Sequence, residues 1–339
     1  MMIFEHVDFD DHERVIIINQ PQVGLKAVIA IHNTVRGPAI GGCRICSYRS
    51  SHEAITDVLR LSRSMSYKTA LAGLPVGGGK AVVIIDQQQA KTPALLDAFG
   101  DAVEQLQGTY ITAEDIGSSV EDMHIIRRRT RYVSGLGRDG DPSPYTAQSC
   151  FVGARAAIRE VFGTDSFKGF RVALQGLGHV GYRYARLLHD AGARLWVSET
   201  NPLRLAQVCT ELNATPVAVD AIDSVDADIY APCAFGAILN DSSIARLKCR
   251  IIAGAANNQL AHAAIAQNLH RKGIIYAPDF VINAGGVIKV CAQYFHWPDA
   301  SVEGEIERID ATLTEIFRRS RQENRSTEDI AVEMAKKSA

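Results

Sequence analysis

The sequence predicts an α/β protein of two domains, the second built on a doubly wound parallel sheet. With 339 residues, the chain is long enough for two domains that each have a hydrophobic core. From residue 171 onward, short apolar segments alternate with amphipathic ones, as in parallel strands joined by helices. Residues 134–145 are rich in Gly, Pro and Asp, which is typical of an inter-domain connection. We therefore expect α/β domains at 1–138 and 139–315, separated by a cleft, with residues 316–339 returning to the first.

The composition is that of a soluble globular protein, with 47% hydrophobic and 22% charged residues. A net charge of -2 provides no bulk attraction to nucleic acid or to an anionic membrane. There is no apolar run of about 18 residues and no secretory signal at the N-terminus. Seven cysteines, an odd number, suit reduced thiols in the cytoplasm. Cys43 and Cys46 have CxxC spacing without a second ligand pair, so no metal site is predicted.

The first half is predicted to alternate strands with two long helices. Ser50 has the context of an N-cap for a helix that ends near Ser66, which places Lys68 just beyond it. A second helix should begin with Thr92 as its N-cap and Pro93 at its first position. Apolar runs predict strands at residues 15–18, 26–31, 81–85 and 110–113.

The second half is predicted to contain five strands separated by helices. One helix should begin at Ala147, another at Tyr182, and a polar helix should span about 303–323 before a charged tail. Short apolar runs predict strands at residues 171–175, 195–198, 229–231, 251–253 and 274–276.

A glycine-rich turn after the strand at 171–175 predicts a dinucleotide site of the Rossmann type. Its G-x-G-x-x-G spacing permits a tight turn, a close approach of the backbone to a pyrophosphate, and close packing of the following helix. Glu199 ends the next strand, where a carboxylate binds the ribose hydroxyls and repels a 2′-phosphate. We therefore expect NAD as the cofactor, although Arg204 keeps NADP open as an alternative. The residues expected at the cofactor are Gly176, Leu177, Gly178, His179, Val180, Gly181 and Glu199.

Three consecutive glycines stand directly before Lys80. A nucleotide phosphate loop ending at this lysine would need Gly at position 74 and Ser or Thr at 81, where the chain has Leu74 and Ala81. Such a loop also leads into a helix, whereas this segment leads into a predicted strand. Lys80 therefore needs another role.

Lys80 lies between small and apolar residues, which suits partial burial. Burial or a neighbouring cation favours the neutral amine, which is the form that can act as a base near neutral pH. Lys68 is the candidate neighbour and could bind a substrate carboxylate, and Asp115, at a strand end, could shuttle protons. The alternative that these are three solvated surface charges stays open from the residues alone.

Seven strings of the chain resemble those of the amino-acid dehydrogenase superfamily, and the leucine dehydrogenase branch most. Enzymes for valine, phenylalanine and tryptophan are nearby branches. The strings occur in order at residues 37–44 (GPAIGGCR), 65–68 (MSYK), 77–80 (GGGK), 114–117 (EDIG), 231–233 (APC), 255–260 (AANNQL) and 281–287 (VINAGGV).

The resemblance implies reversible oxidative deamination of an L-amino acid, with hydride transfer to NAD and hydrolysis of the imine to a 2-oxo acid and ammonium. It assigns water activation to Lys80, carboxylate binding to Lys68 and proton transfer at the amino group to Asp115. In this interpretation the glycines before Lys80 let a loop crowd against the substrate. The resemblance further implies substrate contacts at Gly41, Gly42 and Asn258 and cofactor contacts at Thr146 and Cys233.

The side-chain pocket implied by the resemblance is apolar. Because it offers no partner for a distal carboxylate, a branched-chain substrate (leucine, also valine or isoleucine) is favoured over glutamate. An aromatic amino acid and a non-catalytic NAD-binding role remain the alternatives. The implied pocket residues are Ile40, Ala113, Val287 and Val290.

Two departures from the pattern of the branch are Glu199, where Asp is usual, and residues 148–150. The C-terminal region, which contributes to assembly in these enzymes, is short. The resemblance implies a homo-oligomer, a dimer or a dimer-based octamer.

Overall fold

Two sheets organise the protein, whose computed structural model describes residues 3–86, 91–136 and 141–338. The first unit contains the chain up to Asp141, residues 290–298 and the residues from Ala335 onward. The second contains 142–289 and 299–334. The predicted α/β class with two domains is confirmed by these two units, each with its own sheet.

The first unit contains a mixed five-stranded sheet with helices packed on it. Its strand order is β1-β2-β4-β3-β5, in which β2 is antiparallel to β1 and β4, while β3 is parallel to β4 and β5. The strands are β1 Arg14–Gln20, β2 Leu25–Asn33, β3 Ala39–Cys46, β4 Gly77–Ile84 and β5 Tyr110–Glu114. The helices are α1 Ser51–Leu71, α2 Pro93–Glu104 and α3 Val120–Arg127, with single 3₁₀ turns at Ile3–Glu5 and Pro21–Val23.

The predicted caps of α1 and α2 are confirmed, but α1 is longer than expected. The Ser50 side chain accepts the Glu53 N–H at 3.2 Å, and Thr92 accepts the Leu95 N–H at the same distance. The prediction that Lys68 lies beyond α1 is wrong, because it lies in the last helical turn. The helix continues since the residues around Lys68 are buried, which keeps this turn packed against the protein.

The three glycines belong to β4 and do not form a loop before it. A Cβ on Gly77 would overlap the carbonyl oxygen of Asn33, and one on Gly78 would overlap the backbone of Ser66 in α1. A Cβ on Gly79 would lie 2.9 Å from the ring of Tyr110. The expectation of a glycine loop crowding a substrate is therefore wrong: the glycines let β4 pack against α1 and its neighbouring strands.

The second unit has the doubly wound order β11-β10-β9-β6-β7-β8, with every pair parallel. The strands are β6 Arg171–Gln175, β7 Arg194–Ser198, β8 Thr215–Pro216, β9 Ile229–Pro232, β10 Ile251–Ile252 and β11 Ile275–Tyr276. Strands β7 and β8 follow β6 on one side of the sheet. The chain then crosses back, and β9, β10 and β11 follow on the other side of β6, as in a Rossmann sheet.

The remaining helices lie between residues 143 and 338. They are α4 Ser143–Phe162, α5 His179–Asp190, α6 Pro202–Leu212, α7 Asp241–Arg246, α8 Ala264–Arg271, α9 Asp279–Ile282, α10 Gly285–Tyr294, α11 Asp299–Glu323 and α12 Thr327–Ser338, with a 3₁₀ turn at Ile222–Ser224. No helix in the described residues combines the length and apolar character that a membrane crossing requires.

Helices α4, α5 and α12 also differ from the sequence predictions. Helix α4 begins at Ser143 and not at Ala147, and α5 begins at His179 and not at Tyr182. The charged tail is the helix α12, whose isoleucine and alanines are buried. Residues 299–334 lie in the second unit because the apolar face of α11 packs on α4 and α9. Residues 316–334 therefore belong to the second unit, and the residues from Ala335 onward belong to the first.

Candidate active site

Lys80 and Asp115 form an ion pair in the first unit, in which the lysine is buried and the aspartate is partly buried. Lys80 lies within β4 and is 5% exposed, and Asp115 directly follows β5. The Lys80 Nζ is 3.0 Å from Oδ2 of Asp115. Burial acts to raise the pKa of Asp115, but the charges of Lys80 and Arg44 outweigh it and hold the pKa below its ordinary value. The aspartate is therefore a carboxylate, and it contacts the Lys80 side chain.

The sequence placed Lys80, Lys68 and Asp115 at one site without showing which of them are in contact. Burial of Lys80 was expected, and the structure has it. Its Nζ contacts the carboxylate of Asp115 at 3.0 Å. Lys68 is partly buried in the last turn of α1. Lys80 and Asp115 are separated along the sequence and meet because the strands that carry them belong to one sheet.

Arg44 is a site residue that the sequence analysis did not single out. It lies on β3, and its Nε donates to Asp115 Oδ2 at 2.9 Å. The available signal was its place at the end of the GPAIGGCR string, two residues after Gly42 on the same face of the strand. Its side chain is 17% exposed. Because Lys80 contacts the same aspartate, the site contains two cations around one carboxylate.

Gly41 and Gly42 allow the strands of the site to approach closely. A Cβ on Gly41 would overlap the carbonyl oxygen of Gly79, and one on Gly42 would lie 2.6 Å from the Glu114 oxygen and 2.7 Å from the Asp115 Cβ. The phenol of Tyr110 donates to the Gly41 carbonyl at 2.6 Å. These glycines therefore determine where Asp115 stands relative to β3.

The four apolar positions expected to line a side-chain pocket are divided between the units. Ile40 and Ala113 are buried on the neighbouring strands β3 and β5, where Ala113 pairs with Gly42 in register. Val290 lies in the first unit, and its carbonyl accepts a hydrogen bond from the Ser134 hydroxyl at 2.8 Å. Val287 belongs to the second unit. Both valines are partly buried.

The glycine-rich turn of the second unit fits a dinucleotide. Gly176 has a φ of +93°, and a Cβ there would lie 2.8 Å from that of Ala234. A Cβ on Gly181 would overlap the Gly176 carbonyl oxygen, so both positions require glycine. A Cβ on Gly178 would meet no atom within 4 Å. This glycine directly precedes the 12-residue helix α5. An open glycine before free helical amides is where a pyrophosphate binds.

Glu199 caps this turn from the end of β7. Its Oε2 accepts the Leu177 N–H at 2.9 Å, and its Oε1 accepts the Asn201 N–H at 3.0 Å. Although burial acts to raise its pKa, these backbone N–H groups hold it below the ordinary value. The Arg204 guanidinium lies 3.6 Å from Oε2. A cavity of about 180 Å³ beside the turn is lined by Leu177, Gly178, His179, Tyr182, Arg183, Arg204, Gln207 and Val208.

Cys233 and Val180 lie next to the same turn. Val180 is in the first turn of α5, and the Cys233 N–H donates to the Gln175 carbonyl at 2.8 Å. All seven cysteines are free thiols. Cys43 is buried in the core, where burial raises the pKa of its thiol. Within residues 3–86, 91–136 and 141–338, no three His, Cys, Asp or Glu side chains are grouped so that they could hold a metal ion.

Asn258 and Thr146 are held by their surroundings within the second unit. Asn258 has a φ of +51°, and its carbonyl accepts the Ala237 N–H at 2.7 Å. The next residue, Gln259, is fully buried and donates its backbone N–H to Asp279 at 2.8 Å, a support that the sequence analysis missed. Thr146 lies in the first turn of α4, and a Cβ on Gly286 would be 2.7 Å from its hydroxyl.

Comparison with known proteins gives matches over nearly the whole chain. The family described as Glu/Leu/Phe/Val dehydrogenase, dimerisation domain, matches residues 12–132, and that described as Glutamate/Leucine/Phenylalanine/Valine dehydrogenase matches 203–338. The leucine dehydrogenase of Thermoactinomyces intermedius is 46% identical over 321 residues, covering 94% of this chain and 88% of the relative. The L-tryptophan dehydrogenase of Nostoc punctiforme is 41% identical over 337 residues, covering 99% and 95%.

Solved structures show the same fold. The crystal structure of the Nostoc punctiforme L-tryptophan dehydrogenase has a TM-score of 0.88 at 40% identity and covers 98% of this chain and 97% of that one. These matches confirm the resemblance read from the sequence. The relatives are dehydrogenases, oxidoreductases that use a nicotinamide cofactor. The chain belongs to the glutamate/leucine/phenylalanine/valine dehydrogenase family and is an amino acid dehydrogenase.

Proposed function

We propose that this enzyme catalyses the reversible oxidative deamination of a branched-chain L-amino acid by NAD, giving a 2-oxo acid and ammonium. Leucine is the expected substrate, with valine and isoleucine also accepted. The observation that carries the proposal is the pair of Lys80 and Asp115, 3.0 Å apart and buried beside the glycines of β3. A buried amine and a carboxylate in contact are the two proton-transferring groups that imine formation and hydrolysis require.

Three residues of the first unit would each have a separate role at the substrate. Lys68 binds the α-carboxylate, and Asp115 takes a proton from the amino group and later returns one to the departing ammonia. Lys80, once its ammonium has lost a proton, accepts a proton from the water that attacks the imine carbon. When bound, the nicotinamide accepts the hydride of the α-carbon. The sum is amino acid, NAD⁺ and water converted to 2-oxo acid, ammonium, NADH and one proton.

The residues of the second unit would hold the cofactor. The turn from Gly176 to Gly181 would bind the pyrophosphate, Glu199 would bind the adenosine ribose, and Thr146 and Asn258 would contact the nicotinamide end. Glu199 supports NAD over NADP, because a 2′-phosphate would meet its carboxylate. The neighbouring Arg204, at 3.6 Å, is the counter-argument. The ratio of kcat/KM with NAD to that with NADP tests this preference, and a ratio below one would reverse it.

The apolar character of Ile40, Ala113, Val287 and Val290 supports a hydrocarbon side chain in the substrate. A distal carboxylate would have to be buried without a partner, which is costly, so glutamate should be a poor substrate. The decisive experiment measures NADH formation by the purified enzyme with leucine, valine, isoleucine, phenylalanine, tryptophan and glutamate. Higher kcat/KM for leucine than for both aromatic amino acids supports the proposal. Absence of turnover with every amino acid would refute it.

An aromatic substrate is the second candidate. The observation that favours it is the 41% identity to the L-tryptophan dehydrogenase of Nostoc punctiforme over nearly the whole chain. Differences in cavity shape of one methylene are worth about 1–3 kcal/mol, so the panel separates the two candidates by roughly tenfold or more in kcat/KM.

We also propose a homo-oligomer, a dimer or a dimer-based octamer, working in the cytoplasm. The family that matches residues 12–132 is described as a dimerisation domain. Strand β1 is an edge of its sheet with Ile17 68% exposed, and such an edge needs a cover. The free cysteines support a reducing compartment. Light scattering on the eluting protein tests the assembly, and a monomer would contradict it.

A further inference from the structure

Arg44 lies between two carboxylates of the first unit. Its Nε donates to Asp115 Oδ2 at 2.9 Å, and its Nη1 donates to Asp57 Oδ2 at 2.9 Å. Asp57 belongs to α1 and also accepts the Tyr48 hydroxyl at 2.7 Å. The guanidinium is therefore held from both sides, and its side chain is 17% exposed.

The two oxygens of Asp115 have different surroundings. Both cations, the Lys80 ammonium and the Arg44 guanidinium, contact Oδ2. The hydrogen bond from Arg44 and the ion pair with Lys80 both fall on Oδ2 and not on Oδ1. Oδ2 is thus the oxygen that holds the carboxylate in place, which leaves Oδ1 as the oxygen for a proton-bearing partner.

The two cations differ in what the reaction does to them. Under the proposed function, Lys80 alternates between ammonium and neutral amine. A guanidinium stays protonated at any pH at which the enzyme works. While Lys80 is neutral, Arg44 is the cation that remains on Oδ2. A buried carboxylate that loses its cations takes up a proton, and a protonated Asp115 could not accept one from an amino group.

We propose that Arg44 is a positioning residue of the reaction, which holds Oδ2 of Asp115 and keeps this carboxylate ionised while Lys80 is neutral, so that Oδ1 exchanges protons with the substrate nitrogen. Asp57 and Tyr48 fix the guanidinium in the orientation that this contact needs. The inference rests on the proposed function, because it assigns Asp115 and Lys80 to the chemistry.

The other titratable groups around Asp115 do not replace this cation. Burial raises the pKa of the two thiols and of the phenol among them, so these groups are neutral near pH 7. Burial also raises the pKa of Glu114, which carries no positive charge in either form. The groups are Cys43 and Cys46 of β3, Tyr110 of β5 and Glu114.

The test is the pH dependence of kcat/KM in Arg44→Gln. Without the guanidinium, the carboxylate of Asp115 holds its proton to higher pH, so the acidic limb of the profile should move up by about 1–3 pH units. KM for the amino acid should change little, because carboxylate binding is assigned to Lys68. Arg44→Lys keeps a charge without the planar fork that reaches both carboxylates, so it should show a smaller shift in the same direction.

The matched control is Arg49→Gln. Arg49 is 91% exposed, pairs with Glu53 at 3.1 Å and lies five residues further along the chain. Its removal should leave the profile of the unchanged enzyme. If Arg44→Gln folds and its kcat/KM falls by the same factor at every pH, with an unshifted acidic limb, then Arg44 has a structural role and the inference is overturned. If Arg44→Gln fails to fold, an unshifted Arg44→Lys overturns it in the same way.

A second readout does not depend on the substrate. The ¹³C signal of the Asp115 carboxyl, assigned by its loss in Asp115→Asn, can be followed against pH in protein with labelled aspartate. The midpoint should rise by about 1–3 pH units in Arg44→Gln and stay unchanged in Arg49→Gln. If no amino acid is turned over but this midpoint rises, the proposed function fails and the control of Asp115 by Arg44 stands.

Discussion

Charged side chains meet in the candidate site of the first unit, whereas backbone groups form most of the candidate site of the second. Lys80 of β4 and Arg44 of β3 each contact Asp115, which directly follows β5, at 2.9–3.0 Å. In the second unit, Glu199 accepts backbone N–H groups, and the turn at Gly176–Gly181 presents helical amides. The first site depends on distant segments meeting, and the second is built within one strand–turn–helix–strand segment.

The two sites should respond differently to substitution. Buried charges are stable only in contact, so removing or displacing one partner leaves another uncompensated. A turn of backbone amides contains no buried charge that needs a partner. A substitution that fits sterically in the turn should therefore weaken ligand binding more than it lowers the stability of the protein. Perturbations of the charged site should therefore affect chemistry and folding together, and a sterically tolerated substitution in the glycine-rich turn should affect cofactor binding alone.

The largest effect is expected from Lys80→Ala. Because the amine that accepts the proton of water is lost, kcat should fall by about 10²–10⁴-fold. Affinity for NADH, measured by fluorescence titration, should stay unchanged, since the cofactor residues are in the second unit. Lys26→Ala, at an exposed position of β2, is the control and should keep full activity. Normal turnover by Lys80→Ala would remove this lysine from the mechanism.

Gly42→Ala should come next, with loss of both stability and activity. Its Cβ would lie 2.6 Å from the Glu114 oxygen and 2.7 Å from the Asp115 Cβ, so β5 or the aspartate has to move. Overpacking of this kind costs about 1–3 kcal/mol, and a displaced Asp115 also lowers kcat. Denaturant unfolding and steady-state kinetics measure the two effects. A variant with unchanged stability and kcat would show that the strands tolerate a side chain here.

Acid should destabilise the first unit through a buried histidine pair. The rings of His12 and His32 are 4.7 Å apart, and burial, with the charge of His12, lowers the pKa of His32 to about 4 from 6.5. Between these values the unfolded chain binds a proton that the folded chain does not, so stability falls as the pH drops from 6.5 toward 4. The full loss is about 3 kcal/mol.

The two tryptophans allow the unfolding of each unit to be followed separately by fluorescence. Trp297 belongs to the first unit and Trp196 to the second, so Trp196→Phe leaves a fluorescent probe of the first unit alone. In that background, His32→Gln should flatten the dependence of unfolding on pH between 4 and 6.5. An equally steep dependence with glutamine at this position would contradict the assignment to His32.

The smallest effect is expected from Gly178→Ala. Its Cβ would meet nothing within 4 Å, so the midpoint of thermal unfolding should not change. The methyl group would occupy space that a pyrophosphate needs, and Kd for NADH should rise roughly tenfold, about 1.4 kcal/mol. Gly304→Ala, also in open space but on α11, should leave Kd unchanged. Equal Kd values for the two variants would contradict the cofactor site proposed at this turn.

Most of what the sequence predicted correctly is local. The caps at Ser50 and Thr92 were found because a cap is a contact between residues three apart along the chain. The turn at Gly176–Gly181 was found for the same reason, since its strand, glycines and helix are contiguous. The end of α1 was missed because tertiary packing around Lys68, which the local pattern does not contain, extends the helix.

The candidate site shows the same division. By itself, the sequence determined which groups are present: a lysine among small residues, an aspartate after a strand, and a glycine-rich turn followed by an acidic residue. The tertiary structure decided that Asp115 contacts Lys80 and Arg44, and that the glycines of β4 fit against α1 and neighbouring strands. The physical reason is that these contacts join segments tens of residues apart, whose distances depend on the register of the sheet and not on any one stretch of chain.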